Sequence, residues 1–310
     1  MSSPYLFDVV ESKKKRVIID TDAKNFTDDQ FAVTHALLTP MFDIRGVIAT
    51  HFGHDRIVDS MEASWEEVQL LLRLTGFADK VRAVKGAHTM LAPTGPGIMG
   101  QLQPIECDGV RLIIDEAMNL PAGQRLYIGV LGPLTNVASA LLIEPRIEHS
   151  IVVVWNGGNN YPSGGPEFNL ANDIAAANFV FQSQAEVWQI PIKTVTMPRV
   201  SLAELQYKVQ PCGEIGDYLF RNVLWFNDLM KERGGGWPAA ESIDICDETI
   251  IGLLMDDHRY RYRYASAPYI NSEMYYHECP ANRPIRIYEE IDARYILEDL
   301  FCKLAINYKK

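Results

Sequence analysis

The sequence predicts an α/β fold: an open, mostly parallel sheet with helices on both faces. Three observations carry this. Short apolar, β-branched runs alternate with longer amphipathic segments over residues 16–196. Some of the runs, such as Ile151-Val-Val-Val-Trp155, are apolar throughout, as strands covered on both faces require. A chain of 310 residues with 47% hydrophobic and 22% charged residues can bury a large core without disulfides or a structural metal.

Taken in order, residues 16–20 are apolar and end in acids, which reads as a buried strand. Residues 28–38 open with acids and continue with helical periodicity, as a capped helix does. Residues 44–50 read as a second strand. Residues 55–74 form an amphipathic helix that Gly76 ends. A short strand follows at 81–84, then a helix at 108–119 and a strand at 125–130. The helix at 133–143 begins with Pro133, whose fixed φ suits a first turn. A strand at 151–155, a helix at 173–182 and a strand at 192–196 complete the alternation. Beyond it, 213–233 reads as an aromatic-rich helix and 247–255 as another. Strands are expected at 259–264 and 284–288, and a closing helix at 292–306. The Pro/Gly cluster at 92–100 and the triple glycine at 234–236 read as loops. No Gly/Ser/Pro-rich linker divides the chain, so residues 1–15 read as an extension and 16–310 as one domain.

The charge is acidic: 29 Lys+Arg against 40 Asp+Glu gives −11. This argues against nucleic acid, whose phosphates need Lys and Arg, and against an anionic membrane surface. Cys107, Cys212, Cys246, Cys279 and Cys302 are odd in number, widely spaced and lack a C-x-x-C, which fits reduced thiols. The N-terminus has no leader-like apolar stretch, and no window approaches the roughly 20 apolar residues of a membrane span. A cytoplasmic location is therefore expected.

The first strand ends in Asp20-Thr-Asp22, and Asp28 and Asp29 open the following helix. Ligands of open α/β sheets bind at the carboxyl ends of strands. Four carboxylates gathered there repel one another unless a cation intervenes, and a hard divalent ion with oxygen ligands answers that need. Two enzyme classes begin this way. In a haloacid-dehalogenase-like phosphatase, Asp20 would be the nucleophile and Asp22 the acid/base, with Mg²⁺. In a nucleoside hydrolase the signature is D-x-D-P-G-x-D-D. The D-x-D alone does not separate them.

Later segments do. Gly132-Pro-Leu-Thr-Asn-Val-Ala138 follows a strand and opens a helix. Trp155-Asn-Gly157-Gly158-Asn159 precedes Glu167-Phe168-Asn169. Cys246-Asp247-Glu248-Thr249 opens a late helix, and Ile291-Asp-Ala-Arg-Tyr295 lies near the end. In this order, from about Val17 onward, the chain resembles the inosine-uridine preferring nucleoside hydrolase family, with its Rossmann-like core.

The resemblance implies a calcium-dependent enzyme that cleaves a ribonucleoside to ribose and free base. Asp22, Asp29, Asp247 and the Leu131 carbonyl would hold Ca²⁺. Asp22 would take the proton of the attacking water. Asp28, His54, Glu167, Phe168, Asn169 and Asp247 would bind substrate, and Asp20 would anchor the loop. A neutral nucleoside needs no phosphate cradle, and none is present. The family also implies a homodimer or homotetramer.

This chain departs from the family's pattern in three places. Ala23 and Lys24 replace Pro-Gly in a loop two residues longer. His54 replaces an asparagine. Cys246 stands where many members have a histidine, the candidate acid for the leaving base, a task then left to His54, His258, a tyrosine or solvent. Trp225, Phe226 and Trp237 are candidates for a base-stacking wall. These departures leave open an alternative, a ribosyl-binding or modified-riboside-specific protein on the same fold.

Overall fold

The computed structural model describes residues 4–93, 101–232 and 241–309. Its main sheet contains β1 (Lys15–Thr21), β2 (Phe42–Ala49), β3 (Ala83–Lys85), β4 (Leu126–Val130), β5 (Ile151–Asn156), β6 (Glu186–Ile190), β7 (Tyr262–Ser266) and β8 (Pro284–Tyr288). Their spatial order is β7-β8-β6-β5-β4-β1-β2-β3. Neighbours run parallel except β7 and β8, which are antiparallel. From β1 the chain moves outward through β2 and β3, then returns to β4 on the other side of β1. Such a reversal opens a crevice at the carboxyl ends of the two flanking strands. Asp20 of β1 is in register with Val130 of β4, so Asp22 and Leu131 lie just past the sheet edge.

The sheet is covered on both faces because its strands are apolar on both. Val17 and Ile19 enter one core, and Ile18 enters the other; all three are fully buried. Each such side chain contributes roughly 2 kcal/mol of burial. On the first face pack α1 (Asp29–Leu38) and α2 (Ser60–Thr75). On the opposite face pack α3 (Asp108–Met118) and α4 (Thr135–Ile143). A short helix, α5 (Phe168–Asn172), leads into α6 (Ile174–Gln182), which joins that second layer. The chain continues with α7 (Ile192–Val195), α8 (Leu202–Lys208), α9 (Gly213–Glu232), α10 (Glu248–Asp256) and α11 (Ala293–Tyr308). Of these, α9, α10 and α11 close the first face. Among the described residues no helix is long and apolar enough to cross a membrane.

The sequence pattern misplaced some elements. The strand expected at 192–196 is instead α7, and the sheet takes the preceding Glu186–Ile190. Pro191 explains the change: it lacks an N–H for a strand ladder, and its carbonyl accepts from Thr194 N at 2.8 Å to start a helical turn. The helix expected from 55 begins only at Ser60, which frees residues 54–59 as a loop beside the crevice. Helix α8 went unread, although Ser201 caps it by accepting from Glu204 N at 3.0 Å.

A small antiparallel ladder between Arg199–Ser201 and Ser242–Asp244 lies near the crevice. It fixes the chain just before Cys246 and Asp247, and Ile245 N continues it by donating to Pro198 O at 2.8 Å.

Candidate functional site

Each acidic side chain reaches the crevice from a different support. Asp22 leaves the end of β1 and is followed by Lys24, which turns the loop with a left-handed φ of 84°. Asp28 caps α1, accepting from Asp29 N at 3.2 Å. Asp29 begins α1, and Thr21 Oγ1 donates to its Oδ1 at 2.5 Å. Asp247 precedes α10 and accepts from Asn156 Nδ2 at 2.9 Å. Asn156 is itself oriented by Thr249 Oγ1, which donates to its Oδ1 at 2.8 Å. One carboxylate oxygen from each of Asp28, Asp29 and Asp247 lies within 4.8 Å of the others. Asp22 is 1% exposed, and its Oδ1 is buried without a hydrogen-bond partner.

The electrostatics match this crowding. Burial pushes the Asp22 carboxyl well up, and the charges of Asp29 and Asp28 push it further. Asp28 is raised to about 8 by burial and then by Asp29. Burial raises Asp29 to about 6, against the hydrogen bond from Thr21. Asp247 is held well above its ordinary range by burial, then by Asp28 and Asp29. Buried oxygens that repel one another and include an unpartnered atom are a donor set for a hard divalent cation.

The sugar-binding candidates line the same cavity, which holds about 350 Å³. Glu167 caps α5 by accepting from Asn169 N at 3.0 Å and Leu170 N at 2.9 Å. It also accepts from Gly158 N at 2.7 Å, which ties the double-glycine segment to it. Burial raises its carboxyl, opposed by these N–H groups. Asn169 Nδ2 donates to the Leu131 carbonyl at 2.6 Å and to Asn156 O at 2.9 Å. Phe168 lies between these two polar residues and lines the cavity with them.

The structure thus gathers Asp22, Asp28, Asp29, Leu131, Glu167, Phe168, Asn169 and Asp247 into one cavity. It does not bring His54 there. That residue is exposed and its Nδ1 lies 2.8 Å from Val58 O. His258 lines a separate cavity with Lys15 and Arg125. Phe226 is in the main cavity wall, packed edge-on against Phe26 at 4.5 Å. Trp225 is half exposed, and Lys24 Nζ lies 5.5 Å from its ring centre. Trp237 lies outside the described residues.

Asp20 is fully buried and accepts from Asn136 Nδ2 at 3.0 and 3.2 Å. Burial raises it to about 8, against that amide. It is not among the described lining residues, and a phosphatase nucleophile must face its substrate. Sequence reading missed Asn156 and Arg56, both of which line the cavity. Asn156 had a signal: it is the polar residue that ends an otherwise apolar strand. Arg56 had none, since only the path of the loop brings it in.

The sequence profile of the inosine-uridine preferring nucleoside hydrolase family matches residues 17–288. A probable uridine nucleosidase 2 of Arabidopsis thaliana is 27% identical over 230 residues, covering 66% of this chain and 68% of its own. An inosine-uridine preferring nucleoside hydrolase of Leishmania major is 26% identical over 240 residues, covering 71% and 73%. The fold is similar to a purine-preferring ribonucleoside hydrolase from Gardnerella vaginalis, with a TM-score of 0.72, 17% identity and coverage of 94% and 99%. It is also similar to a plant nucleoside hydrolase, with a TM-score of 0.71, 20% identity and coverage of 94% and 98%. The match across residues 17–288 places this chain in the inosine-uridine preferring nucleoside hydrolase family, as an enzyme that hydrolyses the N-glycosidic bond of a ribonucleoside.

Proposed function

We propose that the enzyme hydrolyses its ribonucleoside with calcium as cofactor, releasing ribose and free base. The observation that carries this reading is the unpartnered, buried Asp22 Oδ1 beside the converged carboxylates of Asp28, Asp29 and Asp247. Asp22, Asp29, Asp247 and the Leu131 carbonyl would hold the ion, an all-oxygen set of the kind calcium prefers. When bound, calcium supplies positive charge that lowers the pKa of a nearby water and offsets the repulsion among the acids.

The chain's own residues do the rest. Asp22 takes the proton from the attacking water. Asp28, Glu167 and Asn169 accept from or donate to the ribose hydroxyls, with Phe168 against the ring. Bond cleavage develops positive charge on the sugar, as in other glycoside hydrolyses, and the surrounding carboxylates stabilise it.

The test is release of reducing sugar from a panel of purine and pyrimidine ribosides by chelator-treated enzyme. Activity should return with added calcium, and Asp29→Asn or Asp247→Asn should abolish both calcium binding and turnover. Full activity in excess chelator would sink the calcium reading.

Cys246 favours a second reading at the level of substrate. Its thiol lines the cavity where a histidine would serve a common base, and burial followed by Asp28 and Asp247 pushes its pKa well up. A thiol so held is a weak acid catalyst. On this reading the preferred substrate is a modified riboside with an easily departing aglycone. Turnover of inosine or uridine at ordinary enzyme rates would argue against it.

A further inference from the structure

The carboxylates of the cavity suit the sugar but not the departing base. A base that leaves with the bonding electrons carries negative charge, which Asp and Glu repel. The sequence candidates for this task do not reach the cavity: His54 turns to the Val58 carbonyl, and His258 lies elsewhere. Cys246 offers an S–H, a weak donor.

Among the described lining residues, Arg56 alone carries a cationic side chain. Its guanidinium carbon lies 4.3 Å from the centre of the Phe168 ring. Its Nη1 donates to Asn25 O at 2.8 Å and also to Asn25 Oδ1. These contacts tie it to both walls of the site. Asn25 Nδ2 reaches Asp22 Oδ2 at 3.3 Å, beside the proposed proton acceptor. Phe168 stands between Glu167 and Asn169, the proposed ribose-binding pair. Arg56 also lines an adjoining cavity with Trp225 and Phe226, the candidates for a base-stacking wall, so it borders both the proposed sugar-binding residues and that wall.

We infer that Arg56 binds the leaving nucleobase, its guanidinium donating to ring nitrogens or carbonyl oxygens of the base and stabilising the charge that develops there. This inference rests on the ribohydrolase reading above. The bond between the anomeric carbon and the base nitrogen breaks, and its electron pair goes to that nitrogen. The hydroxyl of water bonds to the anomeric carbon, and the water's other proton goes to Asp22. The base anion, held by Arg56, then takes a proton from solvent, and Asp22 returns its proton to solvent. Arg56 stays protonated throughout, so it acts by charge and hydrogen bonding and not as an acid.

The experiment compares nucleosides with a nitrophenyl riboside, whose phenolate departs without help. Wild type, Arg56→Ala and Arg56→Lys are assayed on uridine, inosine and the nitrophenyl riboside, with thermal melts and calcium titrations of each. Arg56→Ala should lose about 100-fold or more in kcat on the nucleosides, the scale of removing one charge-stabilising donor. The loss should shrink to a few-fold on the nitrophenyl riboside, and Arg56→Lys should recover part of the nucleoside rate. Equal losses on both substrate types, or full nucleoside activity in Arg56→Ala, would overturn the inference while leaving the ribohydrolase reading intact. A wild-type enzyme inactive on all three substrates would overturn that underlying reading and this one with it.

Discussion

His35 Nδ1 lies 2.6 Å from Glu248 Oε2, and its Nε2 lies 2.9 Å from Asp299 Oδ2. The pair joins α1, which carries Asp29 at its head, to α10, which follows Asp247. The third helix, α11, adds Asp299 and Lys303, whose Nζ is 3.3 Å from His35 Nε2. The far half of α1 is thus pinned to the first residue of α10, directly after Asp247, by a buried ionic cluster.

This cluster makes stability depend on pH. Burial alone would lower the His35 pKa and Lys303 opposes its charge, but Glu248 and Asp299 outweigh both and hold it above 6.5. A histidine raised on folding stabilises the protein fully below its ordinary value and stops doing so as pH rises through the raised one. His35→Gln should cost about 3 kcal/mol at pH 6, the scale of breaking a buried ion pair. Urea unfolding at pH 6 and pH 8 checks this. The gap between wild type and variant should narrow at the higher pH, and parallel curves would refute the assignment.

The lysine of the lengthened loop pairs away from the proposed metal ligands. Lys24 Nζ lies 3.0 Å from Glu67 Oε2, and Glu67 is 3% exposed. Glu67 also accepts from Gln30 Nε2 at 3.0 Å and from the Tyr218 hydroxyl. Lys24→Met should destabilise the protein by about 1–2 kcal/mol, because a buried carboxylate loses its counter-charge while the lysine itself is partly solvated. Calcium affinity should change by no more than a few-fold. A large gain in affinity, read by calorimetry, would mean that the lysine competes with the ion.

Asn136 carries a heavier structural burden than its place in a strand-to-helix turn suggests. Its Nδ2 serves both Asp20 oxygens and Thr50 Oγ1 at 3.1 Å, and its Oδ1 accepts from Ala87 N at 2.8 Å. One amide thus ties the end of β1 to the segments that follow β2 and β3. Asn136→Leu should cost about 3 kcal/mol by leaving buried groups unpaired. Asp20→Asn should keep turnover within about ten-fold, because an electrostatic anchor outside the cavity affects the reaction only through position. Loss of all activity in a folded Asp20→Asn protein would restore Asp20 as a reacting group.

How far the site could be read from sequence follows from how each residue is placed. Asp22, Asp29 and Asp247 stand at ends of regular elements, where apolar periodicity stops and the chain direction is set by the sheet. Glu167 and Asn169 were readable only through the resemblance of their segment to a family motif, which the structure resolves as an N-cap. The strand at Glu186–Ile190 was missed because β-branched residues on either side of Pro191 look alike, and only the missing N–H separates ladder from turn. Loop residues were least legible. His54 and Arg56 lie two positions apart, yet one turns to its own loop's carbonyl and the other crosses to Phe168. No periodicity encodes that choice; it depends on Asn25, which is distant in sequence.

Gly132 presses its backbone against the Asp22 carboxyl: a Cβ there would sit 2.8 Å from Asp22 Cγ. The backbone cannot retreat, since Trp155 Nε1 donates to Gly132 O at 3.0 Å and the indole is fully buried. The residue with no side chain therefore acts as a mould wall, and its emptiness fixes where the proposed proton acceptor stands. Even one methyl group at that wall would turn the Asp22 carboxyl aside, so the aim of this aspartate is inherited from a neighbour that has no chemistry of its own.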